Sequence, residues 1–179
     1  LDAPYEISRP KLETLAFNSS PLYPPMTTPL IHADFPSLKA FRGCFLAGGG
    51  IHFILDAPWM ENLDTLYFEI LDEADENDLN HEEWMEENVV GYEDFLNDGL
   101  LEDGSSLLDQ ELEFLASHAN MRNIRRLVID ASGATLTYHG LQSLSLHNTM
   151  DSLEELWLFL DDEEMELEEI HQELTDAFP

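Results

Sequence analysis

The chain has 179 residues, 38 Asp and Glu against seven Lys and Arg, a formal net charge of −31, 44% hydrophobic residues and one cysteine. That length supports a buried core without covalent staples, and the lone Cys44 rules out an internal disulfide framework and fits a reducing compartment. Direct phosphate-backbone binding, which needs a surplus of Lys and Arg, is excluded, and no uninterrupted apolar run reaches the roughly 18 to 20 residues that span a bilayer.

In chain order, the first apolar unit is Leu12-Glu-Thr-Leu15-Ala-Phe17. The second, Leu38-Lys-Ala-Phe41-Arg-Gly43, is preceded by Phe35 and followed by Cys44, Phe45 and Leu46. Gly48-Gly49-Gly50 then turns the chain out of its strand, because it lacks both the Lys-Ser/Thr of a phosphate loop and the spacing of a dinucleotide fingerprint. Leu63-Asp-Thr-Leu66-Tyr-Phe68 follows Met60. Ser106 to His118 carries Leu107, Leu108, Leu112 and Leu115 at helical spacing. Ile124-Arg-Arg-Leu127-Val-Ile129 follows Met121, and Asp130-Ala-Ser132-Gly133 reads as a turn. Thr137 to Leu146 is a second return helix, with Leu141 and Leu144 on one face. The last unit, Leu153-Glu-Glu-Leu156-Trp-Leu158, follows Met150. A capping helix at about 162–178 closes the chain, with Leu167, Ile170, Leu174 and Phe178 on one stripe.

Four of the five units carry an apolar residue three positions earlier, so the common pattern is apolar-x-x-Leu-x-x-Leu-x-apolar, and the units start 26, 25, 61 and 29 residues apart. Three of those spacings fall at or close to the period of a leucine-rich repeat. Two apolar positions two residues apart, such as Leu127 and Ile129, share one face of a strand while Val128 points to the other. One such strand cannot cover its own apolar edge, so neighbours must stack in parallel. The expected fold is therefore α/β, a leucine-rich-repeat solenoid with a short parallel sheet, irregular repeats, and helices or turns on the outer face. Residues 1–179 form a single domain of about five units. The chain is expected to be part of a longer protein, with further repeats ahead of Leu1.

The 61-residue gap holds an acidic insertion at about 72–104 that the stacked units do not need. Twenty of the acids lie in residues 61–114 and twelve in 151–179, whereas 115–150 has one. Acidity this local favours cations or basic proteins as partners, rather than reflecting a uniformly acidic surface. Trp84, Tyr92 and Phe95 interrupt the insertion and suit an amphipathic segment that folds on a partner.

Motifs for chemistry are weak. Asp72 to Asp78 is an acidic run without calcium-loop spacing, and Asp94, Leu96, Asp98 and Gly99 miss the EF-hand template at its third and twelfth positions. His81-Glu82-Glu83 lacks the second His of a zinc-protease helix, Met85 standing there instead. Cys44, among Phe41, Phe45 and Leu46, is expected to be a buried small apolar residue rather than a nucleophile. No catalytic residue, cofactor or metal is expected. Arg122, Arg125 and Arg126 can clasp an acidic partner or neutralise the facing unit, where Glu154 and Glu155 stand at the positions equivalent to Arg125 and Arg126.

Phe35-Pro-Ser-Leu38-Lys-Ala-Phe41 and Met60-Glu-Asn-Leu63-Asp-Thr-Leu66-Tyr-Phe68 resemble the irregular leucine-rich repeats of fungal F-box proteins, a resemblance running from Pro10 to about Leu160 apart from the insertion. It implies a horseshoe-like solenoid that brings substrate proteins to a cullin-type ubiquitin ligase. It also implies a Skp-type adaptor held by an F-box, which no stretch here matches. The residues expected to meet a protein partner are Trp84, Tyr92, Phe95, Arg122, Arg125, Arg126 and Trp157, with neither nucleic acid nor membrane bound directly, in the cytoplasm or nucleus. The alternative is an acidic histone-binding chaperone or nucleic-acid mimic resembling acidic leucine-rich nuclear proteins. An acid-dependent hydrolase is the remote third reading.

Overall fold

The computed structural model describes residues 11–17, 22, 29–46, 51–71, 105–134, 136–146 and 149–160. The acidic insertion with Trp84, Tyr92 and Phe95, the Gly48–Gly50 turn and the C-terminal cap lie outside the described residues.

The architecture is α/β. Five strands, β1 (Thr14–Ala16), β2 (Ala40–Leu46), β3 (Thr65–Leu71), β4 (Arg126–Gly133) and β5 (Glu155–Leu160), form one all-parallel sheet whose spatial order is the order of the chain. The helices α1 (Ile51–Leu55), α2 (Leu107–Ser117) and α3 (Tyr138–Leu146) lie in the connections among the described residues. The 3₁₀ turns Pro58–Asn62 and Ala119–Asn123 lead into β3 and β4.

The alignment of the five segments becomes physical in the register. Leu15 pairs with Phe41, Phe41 with Leu66, Leu66 with Leu127 and Leu127 with Leu156. A second ladder runs through Gly43, Phe68, Ile129 and Leu158. Phe41, Leu66, Phe68, Leu127 and Ile129 are all within 1% of complete burial, and they join Leu107, Leu108, Leu112 and Leu115 of α2 and Leu141 and Leu144 of α3 in one core. Each such leucine contributes roughly 1.5–3 kcal/mol by leaving water.

The apolar residue three places before each of the last four units closes the turn that enters the strand. Leu38 N–H donates to Phe35 O, Leu63 to Met60 O, Ile124 to Met121 O and Leu153 to Met150 O, at 3.1–3.2 Å. One residue further on, a carbonyl accepts two N–H groups from the next unit. Glu13 O takes Lys39 and Ala40, Lys39 O takes Asp64 and Thr65, Asp64 O takes Arg125 and Arg126, and Arg125 O takes Glu154 and Glu155. These paired backbone bonds recur at each entry, so the chain enters the sheet in the same way four times.

Gly43 occupies a core-facing position because the slot is already full. A Cβ there would lie 2.5 Å from the Phe45 ring and 2.9 Å from the Phe41 ring, well inside contact distance. The Phe45 ring in turn meets Phe68 edge-on, 5.4 Å between centroids.

Two local expectations change. β2 runs past Gly43 to Leu46, so Cys44 lies within the strand, not after it. Asp130-Ala-Ser-Gly is strand rather than turn, because β4 continues to Gly133 and still pairs with β3. The partners step from Glu69↔Asp130 to Leu71↔Gly133, which places one extra residue in β4, a β-bulge. The Asp-x-Ser chemistry that suggests a turn is real but local: Asp130 Oδ1 accepts from the Ser132 hydroxyl at 2.7 Å without ending the strand.

Candidate protein-recognition face

One face of the sheet is sealed by the helices, and the residues between the core positions point to the other, open face. Across that face the register forms three rows. Thr14, Ala40, Thr65, Arg126 and Glu155 make the first, Ala16, Arg42, Tyr67, Val128 and Trp157 the second, and Cys44, Glu69, Asp130 and Phe159 the third.

The β2–β4 part of this face is locked by its own contacts. The Arg42 guanidinium carbon sits 4.1 Å from the centre of the Tyr67 ring, and Arg42 Nη2 lies 3.4 Å from Glu69 Oε2. Tyr67 donates its hydroxyl to Asp130 Oδ2 at 3.1 Å. Burial first, then the Asp130 carboxylate, push the Tyr67 phenol above its ordinary range. Arg126 reaches across to Glu155 through two parallel bonds of 2.7 and 2.8 Å, and Arg125 Nε donates to Glu154 at 3.0 Å. The hydrogen bond from Arg126, reinforced by its charge and by the Trp157 side chain, holds Glu155 below its usual value. These pairs are exposed, so they fix side-chain orientation more than they stabilise the fold.

Each predicted site residue within the described regions now has a place. Arg125 and Arg126 are engaged with the facing Glu154 and Glu155 of their own chain. Arg122 is exposed in the 3₁₀ turn ahead of β4, apart from the strand face that carries Arg126. Trp157 is on the open face of β5 with 55% of its surface exposed. Beside it stands Phe159, which sequence reasoning passed over, 46% exposed with its ring centre 6.4 Å away and nearly parallel. The signal was present, since Phe159 is two residues from Trp157 and a strand turns i and i+2 to one face.

Cys44 is 2% exposed, and burial pushes its thiol up to about 11, with Glu69 adding to the rise and Arg42 opposing it. At pH 8 about one molecule in a thousand carries the thiolate. Alkylation of the native protein by iodoacetamide at that pH should therefore be slower than that of the denatured chain by more than a hundredfold, read as mass gain with time. Equal rates would place the thiol in solvent.

Two grooves lie elsewhere. One of about 600 Å³ between α2 and α3 is lined by Asp109, Glu113, Phe114, His139 and Gln142 among others. Asp109 is committed there: its carboxylate accepts from Ser106 N, Thr137 N and the Thr137 hydroxyl at 2.6–3.0 Å. The other, of about 640 Å³, follows the strand entries past Lys39, Asp64, Asn123, Arg125 and Glu154. Lys39 Nζ donates to Asn62 O and Asn123 Nδ2 to Glu61 O, each at 3.1 Å, tying successive turns together. Among the described residues no three His, Cys, Asp or Glu side chains converge as a metal site, and no helix is long and apolar enough to cross a membrane. The acidic run Asp72–Asp78, Asp94–Gly99 and His81 lie outside the described residues.

No protein-family model, no curated protein and no solved structure matches the chain.

Proposed function

We propose that this chain is a non-catalytic protein-recognition module: an irregular leucine-rich-repeat solenoid that serves as the substrate-binding repeats of an F-box protein in a ubiquitin ligase. The observation that carries the reading is the sheet itself. Strands stacked in chain order, with aligned residues in register, present one face that no helix among the described residues covers, and that face ends in two exposed aromatic rings. A rigid strand array with aromatic anchors suits protein binding, because little side-chain entropy is lost when such rings are covered. Among the described residues, Asp109 is taken up by helix capping and Glu69, Glu154 and Glu155 by arginines.

The charge favours a second reading, an acidic histone-binding chaperone, since a chain at −31 attracts basic proteins. Affinity capture of the protein from its own cells separates the two. Adaptor and cullin retained at high salt are the expected result. Histones held at low salt only would replace the ligase reading with the chaperone.

A further inference from the structure

Resting on the reading of the open face as a protein-binding surface, the partner's chemistry follows from what that face offers. The basic groups on its strands already face carboxylates of the same chain: Arg42 Nη2 lies 3.4 Å from Glu69, with Arg42 Nε left without a hydrogen-bond partner among the described residues, and Arg126 is paired with Glu155. Arg125, at the strand entry, is held by Glu154. An acidic partner would have to break those pairs. Asp130 differs, since its carboxylate takes only hydroxyl and backbone N–H donors, from Tyr67 and Ser132, and no cation among the described residues pairs with it. The register sets Asp130 directly across from Phe159 and diagonal to Trp157. A negative charge thus borders a pair of exposed, nearly parallel aromatic rings, at spacings that one long side chain bridges.

We propose that the open face of β4 and β5 seats an arginine-bearing segment of a partner protein, its guanidinium stacked on Trp157 and Phe159 and paired with Asp130. Arginine fits better than lysine, because its planar fork stacks on an indole while donating two bonds to a carboxylate. A second copy of this chain fits worse, because it brings the same charge of −31 to the contact.

The test is fluorescence anisotropy of the full chain with three labelled peptides of equal length, carrying arginine, lysine or glutamate at alternate positions. It is run on the native protein and on Trp157→Ala, Trp157→Phe and Asp130→Asn, after each is shown to melt like the native chain. The Tyr67 and Ser132 hydroxyls donate to different oxygens of Asp130, so Asp130→Asn removes the charge and keeps one of these bonds through its amide oxygen, while its NH2 donates to the other hydroxyl oxygen. The arginine peptide should bind more tightly than the lysine one and lose about tenfold in affinity with Trp157→Ala and less with Trp157→Phe. Asp130→Asn should weaken it severalfold and flatten its salt dependence. Arginine-peptide binding that is indifferent to both positions would be diffuse attraction to the acidic segments, and would overturn the proposal, as would Trp157-dependent binding of the glutamate peptide. A dimer dissolved by Trp157→Ala would put a second copy on this face instead. Competition against a partner already captured separates the two levels. A partner that needs Trp157 but is not displaced by the arginine peptide removes only the arginine, whereas a partner captured equally well by Trp157→Ala removes the reading of the face itself.

Discussion

Replacing Trp59 by alanine should lower the unfolding free energy by about 3–5 kcal/mol, the largest single loss expected of any side chain in the sheet core. Trp59 lies in the 3₁₀ turn before β3, is 1% exposed, and is the largest of the fully buried side chains. Its ring lies 5.1 Å from that of Phe41 and 6.3 Å from that of Phe35, and its indole N–H donates to Leu30 O at 2.8 Å. Truncation opens a cavity between β2 and the segment before it, and also leaves a carbonyl without its donor. Trp59→Phe keeps most of the volume and drops the bond, so about 1–2 kcal/mol should be lost. Chemical denaturation of both variants reads these values. A loss below about 1 kcal/mol for alanine would mean that the site collapses around the gap or that the ring is not packed as described.

The second large effect is at Asp109, where one buried carboxylate serves two helices. In α2 it completes a capping box, accepting from Ser106 N at 2.8 Å while Ser106 Oγ accepts from Asp109 N at 3.1 Å. It also takes Thr137 N at 3.0 Å and the Thr137 hydroxyl at 2.6 Å, at the residue that precedes α3. Gly140 makes the approach possible, since a Cβ there would collide with the Asp109 carboxylate and with Leu136. Asp109→Ala leaves one buried and one part-buried backbone N–H without its acceptor and should cost about 3–4 kcal/mol, with Asp109→Asn losing roughly half of that. Because the carboxylate joins the helices, amide exchange should quicken in α2 and α3 together. Faster exchange confined to α2 would show that the link to Thr137 carries no weight.

What the sequence discloses depends on whether a contact is local or periodic. The pattern apolar-x-x-Leu-x-x-Leu places Leu15, Phe41, Leu66, Leu127 and Leu156 in one register without any knowledge of the fold, and the structure pairs them in that order. The same alignment sets Arg125 and Arg126 against Glu154 and Glu155, which the structure bonds. Helical spacing gave α2 and α3 nearly to the residue. α1, at five residues, is too short to show a period, and it was not foreseen. β4 past Asp130 was obscured by side-chain chemistry that imitates a turn. Trp59 and Asp109 act on partners 28 or 29 residues away in the chain, at no repeated position, so periodicity has no hold on them. The stack of Arg42 on Tyr67 lies between: the register alone puts them side by side, but the reach of Tyr67 to Asp130 needs the structure.

The central claim, that partners are read by the open face of the sheet and not by its helices, is tested most directly by hydroxyl-radical footprinting of the captured complex. Among the described residues four large apolar side chains are exposed and report on opposite sides: Trp157 and Phe159 on β5, Phe114 on α2 and Tyr138 on α3. Partner binding should protect Trp157 and Phe159 from oxidation and leave Phe114 and Tyr138 at their free rates. Protection of Phe114 and Tyr138 with Trp157 and Phe159 unchanged would contradict it, and would move recognition to the groove between α2 and α3.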